Sequence, residues 1–175
     1  NVKHFIKEQG ICHIVLPEGG HVKPGMFIVG GDSHSVTGGA FGTFMVGIGA
    51  TEMTGVLATG EIWVRVPETV KVDVTGSLQP GVAAKDVILK LCGDHGIMGF
   101  NYQALEYTGT AVSAMSVEER MTLANMAAEL GAKAGYCEPD EKTERVLKGW
   151  GASGVDINTW RSDKDATFAA TVTVD

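Results

Sequence analysis

The chain has 175 residues, of which 44% are hydrophobic and 20% charged, and its formal net charge is −7 at pH 7. This composition is ordinary for one globular domain with a sizeable core, and the negative charge argues against a nucleic-acid-binding surface. No apolar run approaches the length of a membrane span, so we expect no membrane partner. The three cysteines form no C-x-x-C motif and no secretory signal is recognisable, which together predict a reducing, cytoplasmic location.

The first half of the chain alternates apolar runs with glycine-rich turns. Residues 11–16 and 26–29 are short apolar runs of the kind that form buried strands. Residues 38–49 are rich in glycine but carry interleaved apolar side chains that can pack. The sequence predicts a helix over 50–61 and, because polar and apolar residues alternate, a half-exposed strand over 69–75.

The second half of the chain predicts further alternation of helices and strands. Ser116 and Glu119 form a capping box, which marks the start of a helix. The predicted helices cover 80–91, 117–130 and 140–149, and the predicted strands cover 103–108 and 167–174. We therefore expect an α/β fold of three α/β/α layers with a mostly parallel sheet. No linker divides the chain, so residues 1–175 are expected to form one domain.

The most informative segment is 29–42. Here Asp32, Ser33 and His34 place an acid, a hydroxyl and an imidazole on consecutive residues, between an apolar run and a glycine-rich stretch. Polar side chains at the end of a buried strand are where α/β folds place their chemistry. The alternative is a simple turn in which Asp32 and Ser33 cap the next helix.

Two residues distant from this segment are further candidates. His13 lies in the apolar run 11–16, where a lone histidine is most often a hydrogen-bonded core residue. With Asp32 and His34 nearby, however, it can form a carboxylate–histidine pair, which fixes the tautomer of the imidazole and raises its basicity. Glu106 stands between apolar neighbours and would be costly to bury without a partner. The alternative for Glu106 is an exposed strand position.

Five blocks of sequence, in a fixed order, carry a family resemblance over nearly the whole chain. They are residues 10–18, 29–42, 47–52, 102–107 and 120–132. Together they resemble the aconitase superfamily, and they are most similar to the large subunits of the isopropylmalate dehydratase, homoaconitase and dimethylmalate dehydratase types.

The resemblance implies part of an iron–sulfur hydro-lyase or isomerase. Such an enzyme dehydrates and rehydrates a small hydroxy di- or tricarboxylic acid, such as 3-isopropylmalate or homocitrate, with a [4Fe-4S] cluster as the Lewis acid. By resemblance, His13 corresponds to an imidazole paired with Asp32. His34 corresponds to one paired with Glu106, and Ser33 to a substrate-binding residue. A small partner subunit is also implied.

The chain departs from this family in lacking its cluster ligands. The family uses one cysteine in a Ser-Cys-Thr-Asn context and two in a later Cys-x-x-Cys, and neither motif occurs here. Cys12, Cys92 and Cys137 match no ligand position, so we expect no metal ligand in this chain. We interpret the chain as the central portion of a longer catalytic subunit that is inactive alone. Asn125 matches a family helix motif and is expected to support the wall of the site.

Two other classes of function stay open at this point. One is a binding or regulatory module that keeps the aconitase-like fold without the cluster. The other is a mononuclear metal hydrolase that uses His13, Asp32 and His34, although no familiar metal motif has their spacing.

Overall fold

The structure is a computed structural model that describes residues 3–175, and strands alternate with helices along this part of the chain. The strands are β1 (Phe27–Gly30), β2 (Phe44–Gly47), β3 (Thr69–Val74), β4 (Ala104–Thr108), β5 (Ala134–Cys137) and β6 (Ala170–Val174). The α-helices are α1 (Cys12–Glu18), α2 (Ala50–Thr59), α3 (Ala84–His95), α4 (Thr110–Ala114), α5 (Val117–Asn125) and α6 (Glu141–Gly149). Two 3-10 helices cover Ser33–Phe41 and Met126–Ala128.

The larger sheet has four strands in the order β5-β4-β3-β6, and every neighbouring pair is parallel. Val70 in β3 faces Leu105 in β4 and Ala170 in β6 across the ladders. Alternate residues of β3 are buried, as its polar–apolar alternation predicts. The parallel ladders confirm the predicted α/β class and its parallel sheet.

The smaller sheet pairs β1 with β2, again in parallel, and the 3-10 helix Ser33–Phe41 is the crossover between them. Seven consecutive residues of this helix, 35–41, are buried. Small side chains make this burial possible, because the backbone at Gly39 lies directly against the backbone of Gly135 in β5. The 3-10 helix therefore joins the two sheets and fixes the position of Asp32, Ser33 and His34 at its start.

Two apolar clusters hold these layers together. The larger cluster packs α3 and α5 on the four-stranded sheet, with Ile88, Leu91 and Leu105 fully buried. The smaller cluster lies around Phe41 and Leu147 and joins the end of the 3-10 helix to α6.

The segment predicted as a strand over 11–16 is instead helix α1, so that prediction was wrong. His13 and Pro17 are the buried residues of α1, and their separation of four places them on one face of the helix. A continuous apolar run does not distinguish a buried strand from a buried helix, which explains the error. Strands β2 and β5 were not predicted, because glycine and alanine dominate their surroundings.

Helix α2 has no buried residue, unlike the helices around it. Leu57 within it, and Trp63 and Val66 just after it, are each at least 75% exposed. Across residues 3–175, every helix falls short of the length and apolar character that a membrane crossing requires.

Candidate active site

Two elements bring His13 and Asp32 together. Helix α1 presents His13 with only 7% of its surface exposed, and Asp32 follows the end of β1. The distance from His13 Nδ1 to Asp32 Oδ1 is 3.6 Å. The same carboxylate oxygen accepts the backbone N–H of His34 at 2.8 Å, so Asp32 caps the 3-10 helix that carries His34. The capping predicted as the alternative role of Asp32 is therefore observed, and its carboxylate lies near His13 but beyond hydrogen-bonding distance.

His34 contacts a hydroxyl with one ring nitrogen and a carboxylate with the other. Ser33 Oγ lies 3.1 Å from His34 Nδ1, and Glu129 Oε1 lies 3.0 Å from His34 Nε2. A carboxylate only accepts, so His34 Nε2 carries a proton in this contact, whereas the Ser33 hydroxyl can donate to Nδ1 or accept from it. The two contacts fix the orientation of the imidazole.

A second chain of hydrogen bonds holds the backbone of His34 and runs through Thr37 to Asn125. Thr37 Oγ1 donates to the His34 carbonyl at 2.6 Å and accepts from Asn125 Nδ2 at 2.9 Å. The expected supporting role of Asn125 is consistent with this contact, which links α5 to the segment that carries Asp32, Ser33 and His34.

Burial sets the protonation state of His13. Desolvation lowers the pKa of His13; the negative charge of Asp32 opposes this effect, and His34 adds to it. His13 is therefore a neutral imidazole near pH 7, able to accept a proton or a hydrogen bond. A neutral imidazole beside a carboxylate is the usual starting state of a general base.

His13 opens onto a cavity of about 700 Å³ between α1 and α5. His13, Thr37, Asn125 and Glu129 line it together with several apolar side chains. A concave site with a few convergent polar groups is the common form of a small-molecule site.

Glu106 lies elsewhere. It is 7% exposed and accepts a hydrogen bond from Ser162 Oγ at 2.6 Å, in a separate cavity of about 560 Å³ beside β4 and β5. The expectation that a buried Glu106 needs a partner holds, but the partner is Ser162 and not His34. His34 contacts Glu129 instead.

Sequence reasoning missed Glu129, Thr37 and Ser162. Glu129 had a usable signal, because it lies four residues after Asn125 in a stretch otherwise made of alanine, methionine and leucine. Ser162 had none, since it belongs to an irregular segment that reaches Glu106 from 56 residues away.

The described residues do not match an iron–sulfur cluster site. Cys137 is buried in the core and burial raises its pKa to about 12, while burial and the charge of Glu129 also raise the pKa of the Cys92 thiol. Both groups are therefore thiols at neutral pH in the metal-free chain. The three cysteines also lie on separate elements, with Cys12 on α1, Cys92 on α3 and Cys137 in β5. Within residues 3–175, no group of three or more His, Cys, Asp or Glu side chains is arranged to hold a metal ion.

Comparison with known proteins identifies the class of protein to which this fold and site belong. The sequence profile of the aconitase family (aconitate hydratase) matches residues 1–175. The chain belongs to the aconitase family, which confirms the resemblance inferred from the five sequence blocks.

Individual members of the family show which large subunits the chain is similar to. The chain is 52% identical over 176 residues to the 3-isopropylmalate dehydratase large subunit 1 of Methanopyrus kandleri, covering 99% of the chain and 41% of that protein. It is 48% identical to the probable 3-isopropylmalate dehydratase large subunit of Methanosarcina mazei, covering 95% of the chain and 42% of that protein. It is 46% identical to the probable methanogen homoaconitase large subunit of Methanothermobacter thermautotrophicus, covering 95% of the chain and 39% of that protein. The chain thus spans about two fifths of the length of these relatives.

Proposed function

We propose that this chain forms one wall of the active site of a hydro-lyase of the isopropylmalate dehydratase and homoaconitase type. The complete enzyme would dehydrate and rehydrate a small hydroxy di- or tricarboxylic acid. The observation that carries the proposal is the convergence of His13, Asp32 and His34 in a chain of the aconitase family. His13 and Glu129, the partner of His34, line one cavity.

The two histidines are suited to different parts of this reaction. Loss of water from a hydroxy acid needs one group that removes a proton from carbon and another that gives a proton to the departing hydroxyl. His34 is held by Glu129 and Ser33 and is assigned to the hydroxyl side. His13, which burial keeps neutral, is assigned to accept a proton, with Asp32 stabilising the charge that develops.

Glu129 takes the place beside His34 that was expected of Glu106, and Glu106, held by Ser162 in a separate cavity, has no part in the proposed proton transfers. The [4Fe-4S] cluster that the family resemblance implies would be held by polypeptide beyond this chain, since Cys12, Cys92 and Cys137 do not form a ligand set. A small subunit is the second expected partner.

A chimera tests the proposal. The matched region of the Methanopyrus kandleri large subunit is replaced by this chain, and hydration of the unsaturated acid is followed by its ultraviolet absorbance. We expect the chimera to be active and the His34→Gln chimera to lose about 100-fold or more in kcat, the usual effect of removing an acid–base group.

His95→Gln is the matched control for the chimera. His95 lies at the end of α3, away from the cavity, and its ring contacts Phe100. This variant should stay within about twofold of the parent chimera, as surface substitutions away from a site usually do. Full activity of the His34→Gln chimera would refute the proposed role of His34.

The isolated chain is expected to be inactive. It lacks the ligands for a cluster and spans about two fifths of its relatives. The measurement is the same absorbance assay on the purified 175-residue chain under anaerobic conditions with iron and sulfide added. Turnover by this chain alone would show that the reaction needs no further polypeptide.

A further inference from the structure

A separate cavity of about 270 Å³ lies at the carboxyl end of strand β2 in the smaller sheet. The described residues that line it are residues 46–49, Glu52, residues 62–64, Tyr102 and Lys133, and none of them lines the cavity beside His13. Ligands of parallel α/β sheets bind at this end of the strands. Gly47 also packs against the backbone of Asp32 and Ser33, so this cavity adjoins the segment that carries His34.

Two cationic side chains lie over the ring of Tyr102. The guanidinium carbon of Arg65 is 5.3 Å from the ring centroid, and Lys133 Nζ is 5.8 Å from it. Attraction to the π-face of the ring holds each charge in place. Tyr102 is itself anchored, because its backbone N–H donates to the Gly131 carbonyl at 2.9 Å. The ring therefore keeps two positive charges close to the same cavity.

Neither cation has an acidic partner among the residues that the structure describes. No carboxylate oxygen of these residues lies within 4 Å of Arg65 or Lys133. Lys133 Nζ donates to the Gly47 carbonyl at 3.3 Å, which leaves two of its three donors free. Glu52, the acidic residue of the lining, turns its carboxylate towards the backbone of Gly49 instead. Two like charges on one ring repel each other, and an anion that contacts both would remove this cost.

We propose that Arg65 and Lys133 bind a small dicarboxylate, with one carboxylate at each cation beside the ring of Tyr102. A guanidinium binds a carboxylate through two parallel hydrogen bonds, whereas an ammonium binds it as a point charge. Two separate cations suit two separate carboxylates better than one compact anion. The inference goes beyond the proposed function, because this site lies outside the cavity beside His13 and its ligand takes no part in the proton transfers.

Titration of the purified chain tests the site without any turnover. Backbone amide signals are followed by NMR while succinate, acetate or the neutral diamide succinamide is added at constant ionic strength. We expect succinate to shift the signals of Gly47 and Gly49 and to bind about tenfold tighter than acetate, the usual effect of one further charge-assisted hydrogen bond. Succinamide has the same length without the charge and should cause no shift. The affinity is taken from Gly47 and Gly49 alone, so binding beside His13 is not counted.

Variants with a matched control locate the binding. Lys133→Gln should weaken succinate binding about tenfold, and Lys133→Arg should keep most of it. Lys71→Gln is the control, because Lys71 is also half-buried and lies over an aromatic ring, 5.9 Å from the centroid of Phe168, but outside this cavity. It should change the affinity by less than about twofold, since solvent and salt screen a charge outside the site. Arg65→Gln, at an exposed position, should weaken binding severalfold and decides the test if Lys133→Gln does not fold.

The outcomes separate this inference from the proposed function. Succinate binding no tighter than acetate, or equal losses for Lys133→Gln and Lys71→Gln, would show only a general attraction of anions to the protein and would overturn the site. An inactive chimera leaves the site standing, because binding is measured on the chain alone.

Discussion

Among residues 3–175, Arg120 has the largest fully buried side chain, and Asp140 is the carboxylate that compensates its charge. Arg120 is 1% exposed and donates to the carbonyls of Val112 and Ser113 and, at 2.6 Å, to Asp140 Oδ2. Asp140 also caps α6 by accepting two backbone N–H groups. Burial opposes ionisation of Asp140, but the Arg120 hydrogen bond and these N–H groups outweigh it and lower its pKa.

Two substitutions at Asp140 separate its charge from its capping role. Asp140→Asn keeps a good cap but leaves the Arg120 guanidinium without a counter-charge. We expect a loss of about 2 kcal/mol of unfolding free energy, less than for fully buried pairs because Asp140 is partly solvated. Asp140→Ala should lose about 1 kcal/mol more, the value of a helix cap. Urea unfolding at pH 7 measures both.

The exposed pair on the same helix is the control for these variants. Lys148 and Glu144 meet on the surface of α6, where solvent weakens their attraction. Glu144→Gln should therefore change stability by less than about 0.5 kcal/mol. Equal losses for Glu144→Gln and Asp140→Asn would contradict the assigned role of the buried pair.

The stabilisation from Asp140 should depend on pH. Because folding lowers the pKa of Asp140, its contribution to stability is present above the pKa of the unfolded chain and is lost as the pH falls below about 4.

His13 should make stability depend on pH near neutrality. Burial lowers the pKa of His13 in the folded chain below its unfolded value of about 6.5. At a pH between these two pKa values, the unfolded chain therefore binds more protons than the folded chain. Stability from this group is complete above about pH 6.5 and declines as the pH falls towards the folded pKa. Unfolding free energies at pH 7.5, 6.5 and 5.5 should fall more steeply for the unaltered chain than for His13→Gln. Parallel curves would mean that His13 titrates alike in both states.

At the scale of elements, sequence patterns predicted those segments whose periodicity is unambiguous. Strand β3 alternates, helix α5 carries its capping box with Ser116 accepting from Glu119 N, and α6 begins after Asp140, all as predicted. Helix α1 was mistaken for a strand, because residues 11–16 are apolar apart from His13 and show no clear period. Strand β5 was missed because it contains small residues with low strand propensity. Gly135 allows the 3-10 helix to pack closely against this strand.

That contact gives a sharp prediction at Gly39. A methyl group at this position would overlap the carbonyl oxygen of Gly135, a backbone atom that cannot move without displacing β5. Gly39→Ala should therefore cost about 3 kcal/mol or more, at the upper end for overpacked sites. Gly31→Ala is the control, because no atom lies within 4 Å of its methyl position. The midpoints of thermal unfolding are compared for the two variants, and equal midpoints would contradict this packing.

At the scale of the molecule, the sequence singled out candidate residues that lie close together but did not supply the contacts between them. Asp32, Ser33 and His34 could be found because three reactive side chains follow one another after a strand. The contacts of His34 with Glu129 and of Glu106 with Ser162 join segments 95 and 56 residues apart. Such pairings depend on how the layers pack, and no local pattern in a single sequence encodes them.

The exposure of α2 has a consequence for local unfolding of the protein. A ten-residue helix is marginal in water on its own, and α2 buries none of its residues. Its amides should therefore exchange with deuterium through local unfolding, at least about 100-fold faster than those of α3, whose Ile88 and Leu91 are fully buried. Mass spectrometry of exchanged peptides would show this difference, and equal protection of the two helices would contradict it. The first cut by a protease should fall between residues 50 and 66, leaving both sheets intact.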